Sequence, residues 1–132
     1  AQLLLGAHLA GRALSLSGLG LVHGIAHALT NHLHTVHGVA LAAVMPEVME
    51  YSAEQAGAAY RAAAVAMGVP DAGVAVLELA EEIGVRVPLR DLGLSAELVP
   101  LVALGAVEDV VTLNAPRRPT RPEVEQLLRR AL

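Results

Sequence analysis

The pattern of charged and apolar positions changes about one third of the way along the chain. Residues 1 to 46 carry a single charged side chain, Arg12, whereas residues 47 to 132 carry eight arginines and thirteen acidic residues. Helices that are apolar on nearly every face are typical of layers buried among other elements. We therefore expect the first third to form helices that need packing partners on all sides.

Apolar residues in this first third recur at helical spacing and predict three helices. The first runs from Gln2 to about Leu14, the second from Gly18 to about Leu33, and the third begins near Gly38. Pro46 then interrupts the third helix. Because proline lacks an amide hydrogen and its ring clashes with the preceding turn, Pro46 should kink or restart that helix.

Capping residues mark the helices that follow Pro46. Ser52 and Gln55 have the spacing of a capping box, so a helix should start there and end at Gly68. Asp71 should cap the next helix, which ends near Gly84. The remaining expectations are a loop over residues 85 to 94, a helix from Ser95 to about Val107 that continues helically toward Thr112, and a last helix behind a Thr120–Glu123 capping box.

The composition agrees with an all-α protein of about six or seven helices. Hydrophobic residues make up 55% of the chain but aromatic residues only 2%, so Ala, Leu and Val must form the core. Unbranched and small side chains lose little rotamer freedom in a helix. No alternation of apolar and polar residues predicts a strand.

Charge and residue usage restrict the class of partner. A formal charge of −4 and scattered arginines argue against nucleic acid. Histidines interrupt the uncharged third and no run of 18 apolar residues occurs, which argues against a membrane span. The absence of cysteine fits a reducing compartment, so we expect a cytoplasmic protein. Apolar surface on the first helices should make the chain associate, at least into a dimer.

Three histidines form the main candidate site. His23 and His27 are four residues apart and so lie on one face of a helix, and His37 can return to the same place if the next helix packs antiparallel. Imidazole binds zinc, ferrous iron, copper or nickel. The metalloprotease pattern is excluded because Gly24 stands where that mechanism needs a Glu. The spacing alone also fits histidines satisfied by backbone carbonyls or solvent. We expect His32 and His34 to be solvated or capping residues at the helix end, and His8 to be a packing or surface residue.

Several segments together resemble the iron-dependent alcohol dehydrogenases. The stretches GLGLVHGIAH, VHG and MPEVMEYS are similar to that family's G-L-G-x-x-H-x-x-A-H, P-H-G and L-P-x-V-M-x-(F/Y)-N patterns. The later segments VRVPLRDLGLS and NAPRRPTRPEVEQLL resemble its P-x-x-L-x-x-L-G loop and its closing N-P-R pattern. Nearly the whole chain is covered by the resemblance.

The resemblance implies a role for each of the three histidines. His23 and His37 correspond to the last two of four ligands to a divalent metal, usually Fe²⁺ and sometimes Zn²⁺. His27 corresponds to a histidine that lies beside the nicotinamide of NAD(P) and takes part in proton relay. The implied reaction is hydride transfer between an alcohol or aldehyde and the nicotinamide, with the metal polarising the substrate oxygen.

Some parts of the family pattern are missing or altered. No D-x-x-x-H motif for the first two ligands occurs in residues 1 to 22, and no Gly-rich turn of a nucleotide-binding domain precedes them. Ala28, Val36 and Ala115 depart from the local consensus. We therefore expect residues 1 to 132 to be part of a C-terminal helical metal-binding domain, which binds metal weakly and is inactive by itself.

Two alternatives remain at this point. In the first, the chain is a free-standing helical module that self-associates and completes a metal site between subunits with His32 and His34. In the second, the chain is a structural interaction domain without chemistry, and replacing His23 would affect stability alone.

Overall fold

A computed structural model describes all 132 residues and confirms the all-α prediction, since it contains six α-helices and no strand. The α-helices are α1 (Gln2–Ser17), α2 (Leu21–Leu33), α3 (His37–Met67), α4 (Ala72–Glu82), α5 (Val99–Glu108) and α6 (Arg121–Arg130). Two short 3-10 helices, Leu89–Leu92 and Val110–Asn114, lie before and after α5.

The core lies among α2, α3, α5 and α6. Ile25 and Leu29 of α2, Val102 of α5 and Leu128 of α6 are all fully buried in one apolar cluster. Leu89 also enters this cluster, and its N–H donates to the carbonyl of Ala131 at 2.8 Å. The loop between α4 and α5 is thereby fixed against the end of the chain, and α2 occupies the centre of the packing.

Helix α1 differs from the others because none of its residues is buried. Leu3, Leu4 and Leu16 are 87%, 76% and 85% exposed. No polar face compensates for these leucines, since Arg12 is the only charged side chain of the helix. The helix therefore presents an apolar surface outside the core of this chain.

The prediction of a helix that restarts after Pro46 is wrong. Helix α3 runs for 31 residues with Pro46 inside it, and Ser52 is a buried position of that helix, not a cap. An interior proline costs a helix about 3 kcal/mol. Val44 and Val48 on either side of Pro46 are buried in the core, and this tertiary packing offsets the cost.

The helix predicted from Ser95 begins later than expected and ends at a sharp break. Ser95 to Leu98 form a turn, and α5 starts at Val99 with Pro100 in its first turn, where a missing N–H is harmless. Asp109 then adopts an extended conformation, with φ −65° and ψ 127°. The predicted continuation toward Thr112 is therefore a separate 3-10 helix.

Two predicted caps are confirmed. The Asp71 carboxylate accepts a hydrogen bond from the N–H of Val74 at 2.9 Å and starts α4. Thr120 and Glu123 form a capping box at the start of α6, where the Glu123 carboxylate accepts from the Thr120 N–H at 2.7 Å. These side chains satisfy backbone donors that the first turn of a helix leaves free.

No single helix is both long enough and apolar enough to cross a bilayer. Two pairs of consecutive helices reach that length and apolarity only when joined, and they bend by 96° between α1 and α2 and by 58° between α3 and α4.

Candidate functional site

The rings of His23, His27 and His37 lie together at the meeting of α2 and α3. Their centroids are 6.1 Å apart for His23 and His27, 5.6 Å for His23 and His37, and 5.3 Å for His27 and His37. The last two rings are stacked with an angle of 23° between their planes. The structure thus brings all three predicted site residues to one place.

Local geometry explains how the three rings meet. His23 and His27 are one turn apart on α2, so both side chains leave the same face of the helix. His34 follows the last residue of α2 as its C-cap and adopts the left-handed conformation with φ 55°. Only two residues follow before α3 begins, and His37 is its first residue. The short connection returns His37 to the helix face that carries the other two rings.

The environment of His23 favours its neutral form. Partial burial, followed by the proximity of His37 and then His27, lowers the pKa of His23 below its usual value. A neutral imidazole has a nitrogen lone pair that can bind a metal ion, whereas the protonated ring has none.

His27 has a carboxylate partner that the sequence did not reveal. Its Nδ1 lies 2.7 Å from Oδ2 of Asp109, and the two side chains are 39% and 20% exposed. Oδ1 of the same carboxylate accepts from the N–H of Val111 at 3.0 Å. Burial raises the pKa of Asp109, but the hydrogen bonds from Val111 and His27 outweigh it, and the pKa lies below its usual value.

The 3-10 helix Val110–Asn114 holds the start of α2 in place. The Asn114 side-chain amide donates to the carbonyls of Ser17 and Leu19 at 2.7 and 3.0 Å. Thr112 packs against Gly24, between His23 and His27 in sequence. Asp109 and the helix that carries His27 are therefore fixed relative to each other from two sides.

The other three histidines lie outside this group. His8 is exposed on α1 and His34 is exposed at the end of α2. His32 lies along α5, where its Nε2 is 3.6 Å from the point that a Cβ on Gly105 would occupy. None of them has a ring near the three site histidines.

The geometry of His23 and His37 is compatible with one shared metal ion. Two imidazoles that bind an ion through bonds of about 2.1 Å, at close to a right angle, place their ring centres roughly 5 Å apart. The observed centroid distance is 5.6 Å. No group of three or more His, Cys, Asp or Glu side chains is arranged to hold a metal. A donor set of His23 and His37 alone, without a carboxylate, would be incomplete for a divalent ion.

Comparison with known proteins agrees with the resemblance found in the sequence. The sequence model of the Fe-containing alcohol dehydrogenase family, C-terminal, matches residues 1–132. The chain belongs to this family.

Relatives of this alcohol dehydrogenase family member are substantially longer. Lactaldehyde reductase of Escherichia coli K12 is 39% identical over 96% of this chain and 36% of its own length. The 1,3-propanediol dehydrogenase of Citrobacter freundii is 31% identical over 93% of this chain and 35% of its own length. The crystal structure of an iron-containing alcohol dehydrogenase from Corynebacterium glutamicum superposes with a TM-score of 0.78 and 32% identity, over 87% of this chain and 32% of that one. The chain spans about a third of the length of these proteins.

Proposed function

We propose that this chain supplies part of the active site of a metal-dependent, NAD(P)-linked alcohol dehydrogenase. The observation that carries the proposal is the convergence of three imidazoles from α2 and α3 within 6.1 Å of one another. Membership of the Fe-containing alcohol dehydrogenase family supports the reaction class. A small alcohol or aldehyde is the substrate favoured by the names of two relatives, lactaldehyde reductase and 1,3-propanediol dehydrogenase.

In this proposal His23 and His37 are two ligands of a divalent ion, Fe²⁺ in the first place and Zn²⁺ as the alternative. When bound, such an ion polarises the substrate oxygen as a Lewis acid. The two rings lie 5.6 Å apart and neither is paired with a carboxylate, so their nitrogens are free for this role. His27, which has a carboxylate partner, is proposed to act in proton transfer instead.

His27 is proposed to lie beside the nicotinamide and to take up a proton from the alcohol. The alcohol must lose one proton from oxygen and one hydride from carbon, and the nicotinamide accepts the hydride. A ring nitrogen of His27 that carries no hydrogen accepts the proton. Its neighbourhood supports this role, because the ring is part exposed and lies 5.3 Å from the His37 ring.

The remaining parts of the enzyme are proposed to come from outside residues 1–132. These are the nucleotide-binding domain and an Asp and a His that complete the metal site. The chain alone should then have no dehydrogenase activity. We also propose a cytoplasmic homo-oligomer, supported by the absence of cysteine and by the exposed leucines of α1.

A chimera tests this function. The matching C-terminal third of Escherichia coli lactaldehyde reductase is replaced by this chain, and NAD(P)H-dependent reduction of lactaldehyde is measured together with bound iron and zinc. The chimera should reduce lactaldehyde. His23→Ala and His37→Ala should each lose bound metal and lower kcat by about 100-fold or more. His27→Ala should lower kcat and keep the metal.

His34→Asn is the matched control, because Asn tolerates the left-handed conformation of position 34. It should leave both activity and metal unchanged. Full activity in the His23→Ala chimera would contradict the proposal. Loss of metal in His34→Asn alone would favour a self-associating module with a metal site between subunits.

A further inference from the structure

The carboxylate of Asp109 makes two different hydrogen bonds with its two oxygens. Oδ1 accepts from the N–H of Val111 at 3.0 Å and caps the 3-10 helix Val110–Asn114. Oδ2 lies 2.7 Å from Nδ1 of His27, a residue 82 positions away in sequence. One bond is local and shapes the backbone, whereas the other reaches the proposed site.

Chemistry fixes the direction of the second bond. An ionised carboxylate only accepts hydrogen bonds, so Nδ1 of His27 must carry the hydrogen. In a neutral imidazole the other nitrogen, Nε2, then has the free lone pair. We propose that Asp109 is a positioning residue that keeps the hydrogen of neutral His27 on Nδ1 and leaves Nε2 as the proton acceptor of the ring. The value of this tautomer for catalysis rests on the proposed function.

A role confined to capping does not require this residue type. Capping of Val111 uses one oxygen, and Asn, Ser or Thr would serve nearly as well. The second oxygen contributes nothing to the cap. Its short contact with His27 instead matches the usual arrangement in which a carboxylate orients an imidazole through one ring nitrogen.

The contact with Asp109 is specific to His27 among the three site histidines. Because Nδ1 of His27 is occupied by Asp109, that nitrogen cannot bind a metal ion. His23 and His37 have no carboxylate partner. Among the three neighbouring imidazoles, His27 alone is held by a carboxylate in one orientation and one tautomer, with the lone pair on its Nε2.

Replacement of Asp109 by Asn tests the proposal with little change in shape. Asn retains Oδ1 to accept from Val111 but places an NH₂ donor where Oδ2 stood. An NH₂ group facing Nδ1 requires that nitrogen to accept, so the hydrogen of His27 should move to Nε2. Asp71→Asn is the control, because Asp71 also caps a helix through Oδ1 and has no histidine partner.

The experiment measures the tautomer of His27 by long-range ¹H–¹⁵N NMR correlations on the ¹⁵N-labelled 132-residue chain. The spectra are recorded at a pH at which the imidazole is neutral. The wild-type chain and Asp71→Asn should show hydrogen on Nδ1, and Asp109→Asn should show it on Nε2. If His27 of the wild-type chain carried its hydrogen on Nε2, that result alone would overturn the proposal. An unchanged tautomer in a folded Asp109→Asn chain would overturn it as well.

Kinetics of the lactaldehyde reductase chimera separate this inference from the proposed function. If both hold, Asp109→Asn should lower kcat about 100-fold or more, change KM little and leave bound metal unchanged. An inactive parent chimera together with the predicted tautomer change would refute the proposed function and support the positioning by Asp109. An active parent whose Asp109→Asn variant keeps its kcat would refute the catalytic value of that positioning.

Discussion

Gly24 of α2 lies directly against Thr112 of the 3-10 helix Val110–Asn114. A Cβ at position 24 would overlap Oγ1 of Thr112 and would stand 3.0 Å from the carbonyl oxygen of Ala106. The Thr112 hydroxyl cannot easily move away, since it is buried and donates to that same carbonyl at 2.7 Å. This contact fixes how closely α2, with His23 and His27, approaches the segment that carries Asp109.

Gly24→Ala should therefore destabilise the protein. Overpacking of this kind costs about 1–3 kcal/mol, and the better helix propensity of Ala returns up to about 1 kcal/mol. We expect a net loss of about 1–2 kcal/mol in the free energy of unfolding, measured with urea.

Gly57→Ala on α3 is the matched control. The nearest atom to its new Cβ would be the end of the flexible Arg61 side chain at 3.3 Å, so the helix propensity should dominate. This variant should be as stable as the wild type or more stable. Equal stability of Gly24→Ala and the wild type would show that the contact between α2 and the 3-10 helix is loose.

Glu47 and Arg86 form an ion pair that joins α3 to the loop after α4. The Arg86 Nη2 to Glu47 Oε1 distance is 3.0 Å and Glu47 is buried, whereas the second partner of Arg86, Glu81, is 57% exposed at 3.2 Å. Removing one member of a buried pair leaves the other charge uncompensated. Glu47→Ala should cost about 2–3 kcal/mol of unfolding free energy, and Glu81→Ala less than about 1 kcal/mol. Equal losses in chemical denaturation of the two variants would contradict this assignment.

The capping box of α6 should make stability depend on acid pH. Hydrogen bonds from the Thr120 backbone and then from its hydroxyl hold the pKa of Glu123 below its usual value. A lowered carboxylate pKa in the folded state stabilises the protein above the unfolded pKa, and this contribution disappears as pH falls through the folded value. Above about pH 5, Glu123→Gln should unfold at a lower denaturant concentration than the wild type. Near pH 2 the two proteins should unfold at similar concentrations.

Glu125→Gln provides the comparison, because Glu125 makes only an exposed pair with Arg121 one turn away. Its effect should be small at every pH. A Glu123→Gln variant whose deficit persists unchanged at low pH would indicate that the carboxylate charge is not what stabilises the start of α6.

Local signals in the sequence were enough to predict most of the helices. Asp71 and the pair Thr120 and Glu123 act on amides within three residues of themselves, so their caps can be recognised without the fold. The continuity of α3 could not be recognised in this way. Pro46 and the Ser52 capping pattern both signal a break, and only the burial of the surrounding residues in a core formed with α2 overrides them.

The site was predictable to a similar extent. His23 and His27 share a helix face by spacing alone, and antiparallel packing of the next helix could return His37 to them. The resemblance to the iron-dependent alcohol dehydrogenases added the role expected of each histidine. Asp109 was missed because its contact with His27 spans 82 residues, and no periodicity reaches so far. The available signal was the position of Asp109 between two helical segments, because an Asp there usually caps the second segment.

The central claim is that His23 and His37 can bind one ion together. NMR titration of the 132-residue chain with Zn²⁺, followed through the imidazole nitrogens of every histidine, tests it most directly. With two imidazoles and no carboxylate the affinity should be weaker than micromolar. The signals of His23 and His37 should nevertheless shift along one common isotherm with a stoichiometry of one ion, and His34 should not follow it.

His23→Ala should abolish the response of His37, and His37→Ala should abolish that of His23, because neither ring alone holds the ion. Separate isotherms for the two rings, or an unchanged response of one ring after the other is removed, would contradict a shared site.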